Sequence, residues 1–349
     1  IHLQEINERA RRFPPKINME NVDATIFVAK HVKERAMEMF DWQNPGLYVV
    51  PNYVNTERLN VPKVKEAAKQ IGILGVVPMR KRMDRALKLL ELIRKNDSEF
   101  KLSIKGRLPK DYPWMLAGRK EELEYYEKQF DQIENNPNLS ENVSFEGYTN
   151  TISEWYANIG FVLSPSDFES FHYTIADGVA SGALPIIWPW EGSDDIYPSE
   201  WIVDNTKDAV KRVIKYSNAS SKEIEASIDR NHNYIVSSFG MEKVFDELEI
   251  LTTQRVDIAD NLVLESKDIL LNAKLNSGKS YILSGNIESK KDEKERSALI
   301  KFTFDKNEIN VDPVKHKMGF SDNVGAYIYL PTAKGGGEFS KMISVPENG

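Results

Sequence analysis

Apolar residues in the first two thirds of the chain follow two alternating patterns. Solid apolar runs at 71–77, 160–163 and 184–188 have the length of buried strands, and 100–106 and 143–147 also read as strands. The stretches between them are amphipathic. Met83, Ala86, Leu87, Leu90 and Ile93 recur at helical spacing, and further helices are predicted over 115–134, 152–158 and 173–180. Strands and helices alternating at this pitch predict an α/β, Rossmann-like unit, a parallel sheet with helices on both faces. Upstream, 23–29 and 48–50 read as short strands around a helix over 31–40, and helices dominate again up to about 254. Near Asp257 the period changes to short alternating strands, clearest at 280–287, 298–304 and 323–331, with 290–295 as an exposed hairpin loop and Gly335-Gly336-Gly337 as a turn. That predicts an all-β, sandwich-like module.

Composition narrows the function classes. The chain has 349 residues, a net charge of −7 and no cysteine, which excludes disulfides, a thiolate nucleophile and thiolate metal sites. The acidic balance argues against nucleic acid as a partner. No run approaches the ~20 apolar residues of a membrane span, and the charged residues after Ile1 are not a signal peptide. A start at Ile1 rather than Met suggests a trimmed or processed piece.

The most informative stretch is Ser164-Pro165-Ser166-Asp167-Phe168-Glu169-Ser170-Phe171-His172, running on to Asp177 and Gly182. An apolar strand stops, a tight polar loop follows, and a helix begins at Tyr173. Such a junction sets polar side chains and free backbone N–H groups at the carboxyl edge of a sheet, where open α/β folds bind nucleotides and phosphates. Two acids, Glu169 and Asp177, bracket it and could hold sugar or ribose hydroxyls. A second candidate is the basic loop Arg80-Lys81-Arg82 after the strand at 71–77.

In order along the chain stand Asp23-Ala24-Thr25-Ile26, Val50-Pro51-Asn52-Tyr53-Val54-Asn55, the loop from Gly75 to Lys81, Val143-Ser144-Phe145-Glu146-Gly147, Tyr156-Ala157-Asn158, Ser164-Pro165-Ser166, Glu169-Ser170-Phe171 and Gly182-Ala183-Leu184-Pro185-Ile186. This series, over roughly 23–254, resembles the C-terminal, nucleotide-sugar-binding half of retaining GT-B glycosyltransferases of the family-four (group 1) type. The resemblance implies that Lys81 holds the donor diphosphate. The arginine expected beside it is replaced by Val76, which lacks the forked contact, so Arg80 or Arg82 is the candidate substitute. It implies that Glu169 is the catalytic acid near the transferred sugar, in a positioning and electrostatic role. It places the backbone N–H groups of Ser170, Phe171 and His172 toward sugar and phosphate, Asp177 toward the ribose in place of a longer glutamate, and Gly147 and Tyr148 beside the base. Arg107 reads equally as a phosphate contact or a surface residue. Trp188 and Trp190 read as core or as the wall of a sugar pocket.

The resemblance further implies a UDP-sugar as the leading donor, no cofactor and no catalytic metal, and a glycan or cell-envelope polymer as acceptor. It implies a cytoplasmic place at the inner face of the membrane, with peripheral membrane or homo-oligomer contact as a further interaction. It divides the chain into 1–45, the residual end of an N-terminal GT-B domain; 46–255, the nucleotide-sugar-binding domain; and 256–349, a β-sandwich-like accessory domain. With the first GT-B half largely missing, the isolated chain is expected to bind donor without transferring sugar. The rival reading is a non-catalytic carbohydrate-binding or scaffolding protein with a degenerate GT-B half. Tyr327 and Tyr329, two apart on one strand, are either a sugar platform or packing residues of the β module.

Overall fold

Strand order explains where the functional loops lie. The computed structural model describes residues 1–2, 5–6, 10–22, 24–42, 46–252, 254–264, 275, 280–289, 298–302, 311, 316–321, 325–330 and 336–346. In chain order the first elements are β1 (Thr25–Phe27), α1 (Lys30–Phe40), β2 (Leu47–Val49), α2 (Thr56–Leu59), β3 (Gln70–Leu74), α3 (Met83–Arg94), β4 (Lys101–Lys105), α4 (Pro113–Leu116) and α5 (Lys120–Asn135). They continue through β5 (Val143–Phe145), α6 (Ile152–Ala157), β6 (Phe161–Ser164), α7 (Tyr173–Ala180), β7 (Leu184–Ile187), α8 (Ser193–Ile196), α9 (Thr206–Ser217), α10 (Ser221–Phe239) and α11 (Met241–Thr252). β5-β4-β3-β6-β7 form a parallel five-stranded sheet, and β1 pairs with β2 in a separate parallel pair. The chain starts at β3, builds outward through β4 and β5, then crosses back to place β6 on the other side of β3. The carboxyl ends of β3 and β6 therefore flank the topological switch point.

The inner strands divide their side chains between two cores, as the pleat requires, whereas edge strand β5 is half-buried at Val143 and exposed at Ser144 and Phe145. Ile71, Ile73, Phe161, Leu163, Leu184 and Ile186 pack with Leu87, Leu90 and Val213 from α3 and α9. Val162 and Ile187 face the opposite cluster with Tyr156, Ile175, Val179 and Ile235 from α6, α7 and α10. The continuous apolar runs in the sequence follow from this two-sided burial. The long helix expected over 115–134 is split, because Gly118 and its neighbours break the chain between α4 and α5.

Helix and sheet approach closely at Gly160, where an added Cβ would lie 2.2 Å from the Ala67 carbonyl oxygen. That obstacle is backbone and cannot rotate away. Gly160→Ala is expected to cost about 3 kcal/mol, at the upper end for overpacking, read as a lower denaturation midpoint in urea with an unchanged m-value.

The chain divides into two compact units, Ile1–Asp246 and Glu247–Gly349. Residues 1–45 are therefore not a separate piece. Phe27, Val32, Ala36 and Trp42 share the core of Phe171, Ile175 and Trp190, so burial binds this segment to the α/β unit. The second boundary lies at 246/247 instead of 255/256.

The second unit contains β8 (Gln254–Leu264), β9 (Ser280–Ser289), β10 (Ala298–Lys301), β11 (Gly319–Ser321), β12 (Gly325–Leu330) and β13 (Gly336–Ser344). Two three-stranded sheets form, β13-β9-β8 and β10-β12-β11. Tyr281, Leu283, Met318, Ala326, Ile328 and Ile343 share one apolar cluster. β9 and β10 lie in different sheets, so the expected hairpin between them does not form. Its loop, 290–295, lies outside the described residues, as do 303–304, 323–324, 331 and 335 of the other expected strands and turn. Tyr327 and Tyr329 alternate with the inward Ala326 and Ile328, and their rings meet edge to face at 5.3 Å on the other side of the strand. Among the described residues no helix is long and apolar enough to cross a membrane.

Candidate functional site

The loop after β3 begins at Gly75 in a left-handed turn (φ 74°) that a side chain would strain. Val76 follows, buried, with its carbonyl accepting from the Tyr126 hydroxyl at 2.6 Å. The residue in the arginine's place is thus a core residue. A short turn, Met79–Lys81, then carries Arg80 and Lys81 toward the loop after β6.

The two loops are cross-linked. The Asp167 N–H donates to the Arg80 carbonyl at 2.9 Å, and the Arg80 guanidinium donates to the Phe168 carbonyl. Arg85, on the first turn of α3, donates to the Pro165 carbonyl at 2.7 Å and pairs with Asp167 at 2.8 Å. The result is a buried ion cluster. Lys81 Nζ lies 2.6 Å and Arg80 Nη1 3.2 Å from Glu169 Oε1. Burial pushes the Glu169 carboxyl up, but the surrounding cations outweigh it and hold the group down at about 2. Burial also lowers the Lys81 ammonium, opposed by Glu169.

Arg82 does not join this cluster. Its guanidinium is held by Asp84 at 2.8 Å and Asp167 at 2.9 Å, beside the cluster and not in contact with Glu169 among the described ion pairs.

Beyond Glu169 the chain turns into α7 through His172, which adopts φ 61°, ψ 73°. Among the described residues the backbone N–H groups of Ser170, Phe171 and His172 donate to no protein acceptor, and they stand at the first turn of α7, where N–H groups suit an anion. The Phe171 side chain is core, packed edge to face on Phe239, so only its backbone is available to a ligand. The His172 imidazole is buried. Its Nδ1 is 2.5 Å from Ser164 Oγ and its Nε2 is 3.9 Å from Glu169 Oε1. Burial lowers the imidazole to about 3, so it is neutral at neutral pH. Trp188 and Trp190 are core, and Trp190 donates to Ser164 Oγ at 3.1 Å.

Asp177 shares with Tyr173 the one face of α7 that is not packed into the core. Its carboxyl is largely buried and accepts no hydrogen bond among the described residues, so desolvation pushes it up to about 7. Along the sheet edge, Gly147 (φ 59°) accepts from the Gly106 N–H, and Arg107 covers the exposed Tyr148 ring at 5.3 Å.

Sequence reasoning missed two contributors. His31, on the first turn of α1, donates from Nε2 to the Glu169 carbonyl at 2.9 Å. Arg85 clamps the Glu169 loop from α3. Neither sits in a motif; each is visible only once its helix is docked.

A parallel sheet with this strand order and switch point has the fold of the GT-B glycosyltransferases that it superposes on. Residues 68–217, within the α/β unit, match the family model described as glycosyl transferases group 1. The poly(ribitol-phosphate) alpha-N-acetylglucosaminyltransferase of Staphylococcus aureus (strain COL) is 22% identical over 240 residues, 68% of this chain and 43% of that protein. The crystal structure of TarM superposes with a TM-score of 0.55 at 18% identity, over 72% of this chain and 49% of that one. The Anabaena HepE structure in complex with UDP and glucose gives a TM-score of 0.52 at 10% identity, over 65% of this chain and 61% of that one. The chain spans less than half the length of the first two relatives.

Proposed function

We propose that this chain binds a nucleoside-diphosphate sugar, by preference a UDP-sugar, across the switch point. Together with a second GT-B half, it transfers the sugar with retention to a glycan or cell-envelope polymer. The carrying observation is the Lys81–Glu169–Arg80 cluster beside the open N-terminus of α7. The diphosphate leaving group gains charge as the glycosidic bond breaks. Lys81, Arg80 and the free N–H groups of 170–172 are preorganised to stabilise that charge, so the reaction needs no metal for this task. Glu169 stays ionised beside the anomeric carbon, where it stabilises developing positive charge and orients the sugar. Asp177 receives the ribose hydroxyls, and Gly147 and Tyr148 flank the base. The relatives' printed ligands, UDP and glucose, and the polyribitol-phosphate acceptor in one relative's name, support a UDP-sugar and an envelope polymer. On this reading the protein works in the cytoplasm at the inner face of the membrane.

The isolated chain is expected to bind donor without transferring it. Titration calorimetry with UDP, GDP and ADP tests the donor reading. UDP should bind, and Lys81→Ala should weaken it by about 30-fold, the usual cost of truncating one partner of a buried charged contact. Silence with every nucleotide, alongside glycan binding to the second unit, would favour the scaffold reading instead. The burial of Val76 where an arginine was expected is the observation on that side.

A further inference from the structure

Three side chains behind Glu169 form a hydrogen-bond chain whose direction follows from donor counting. Trp190 Nε1 is only a donor, and it donates to Ser164 Oγ at 3.1 Å. Ser164 therefore accepts from the indole and has one proton of its own to place. Its other neighbour is His172 Nδ1 at 2.5 Å, and among the described residues Ser164 Oγ has no further hydrogen-bond partner. The serine proton goes to Nδ1, which must then be the unprotonated ring nitrogen. The imidazole proton resides on Nε2, and Nε2 faces the Glu169 carboxylate across 3.9 Å.

That gap is too long for a direct hydrogen bond. It does suit one intervening oxygen at about 2.8 Å from each side, subtending roughly 90°. The oxygen would have to accept from a neutral N–H and donate to a carboxylate. A phosphate oxygen at neutral pH cannot donate, and Glu169 would repel it. A hydroxyl does both. Among the described residues the Glu169 contacts fall on Oε1, which leaves Oε2 without a hydrogen bond.

Backbone conformation gives an independent reason to look here. His172 holds a left-handed conformation that a non-glycine residue adopts at a cost, and two carbonyls, Phe171 and His172, are pinned by the Tyr197 hydroxyl at 2.8 and 3.2 Å. The fold thus over-determines the ring's position.

We infer that Trp190 and Ser164 lock His172 as the neutral Nε2–H tautomer, and that this N–H, with Glu169, binds one hydroxyl of the donor's sugar ring. The inference rests on the proposed donor site and goes beyond it by assigning the sugar contact to a side chain. It predicts that His172 distinguishes a nucleotide-sugar from the bare nucleotide.

The test has two readouts on the full chain. Long-range nitrogen–proton correlation spectra of the histidine rings should show His172 protonated at Nε2 alone between pH 5 and 8, and Ser164→Ala should mix the tautomers. Calorimetry should compare UDP with UDP-glucose and UDP-N-acetylglucosamine. His172→Asn tolerates the left-handed backbone but is too short to replace Nε2–H. With UDP affinity measured on the same variant as the reference, it should reduce the preference for nucleotide-sugar over UDP by about tenfold, the worth of one such bond. An Nδ1–H ring, or an Asn variant whose preference matches the parent's, overturns the inference alone. Failure of the parent chain to bind any nucleoside diphosphate overturns the donor site as well.

Discussion

Glu169→Gln is expected to lower the melting temperature of this chain by about 6–12 °C without weakening UDP binding. The carboxylate is the counter-ion of two cations, one of them Lys81, whose side chain is 17% exposed. Removing one partner of a buried pair leaves the other uncompensated, a cost of about 3 kcal/mol, and each kcal/mol moves the midpoint by about 2–4 °C in a unit of this size. The effect on UDP has the opposite sign. In the empty site Glu169 competes with a diphosphate for Lys81 and Arg80, so the glutamine frees both cations for the phosphates. Lys81→Ala and Glu169→Gln therefore act in opposite directions on UDP, although both disrupt the same ion pair. In a protein with both GT-B halves, transfer by Glu169→Gln should fall by about 100-fold or more, the usual loss when a transition-state electrostatic contact is removed. Acid unfolding gives a further check. The Glu169 carboxyl sits at about 2 when folded, against 4.5 as its ordinary value. Its contribution is complete above about pH 4.5 and fades as the pH falls toward 2. The parent should lose stability over that window more steeply than the glutamine variant. Unchanged melting, or loss of UDP binding in Glu169→Gln, would contradict the assignment.

UDP affinity should rise by about 30-fold between pH 5.5 and 8, and Asp177→Asn should remove most of that rise. Burial without a partner raises the Asp177 carboxyl to about 7, so much of it is protonated in the empty site. Two ribose hydroxyls donating to the carboxylate favour its charged form and bring the group down. Binding then releases a proton below pH 7, and affinity climbs with pH until the group is already ionised. Uridine, which has no phosphate to titrate, isolates this contribution. The same shift acts on folding with the reverse slope. The folded group binds a proton that the unfolded one releases between pH 3.8 and about 7, so its stabilising share is full below 3.8 and is lost as the pH rises through 7. Asp177→Asn should flatten that loss in a chemical-denaturation series. A flat UDP profile in the parent would place Asp177 away from the ribose.

Much of the donor unit was legible in the chain because two-sided burial writes itself as solid apolar runs. β3, β4, β6 and α7 lie close to where periodicity predicts them. The junction at 164–172 was legible as a strand-to-helix turn because Ser-Pro-Ser ends the apolar run before the helix that starts at Tyr173. The Arg82–Asp167 pair was not legible, because charge balance depends on which acids the fold brings near and Asp167 lies on the loop after β6. The expected hairpin in the second unit failed for a related reason. Strand spacing does not say which strands pair, and β9 and β10 went to different sheets.

The sequence by itself determined the element types, the acidic balance, the exclusion of thiolate chemistry and the residue types at the donor edge. These depend on local periodicity and composition. Tertiary structure alone decided that Lys81 and Glu169 meet, because their loops follow β3 and β6, which are distant in the chain and adjacent only through the crossover at the switch point. It also decided the protonation of Asp177, the direction of the Trp190–Ser164–His172 chain and the docking of His31 on the Glu169 carbonyl. Those properties arise from desolvation and donor–acceptor matching, which exist only when segments far apart in sequence are packed together.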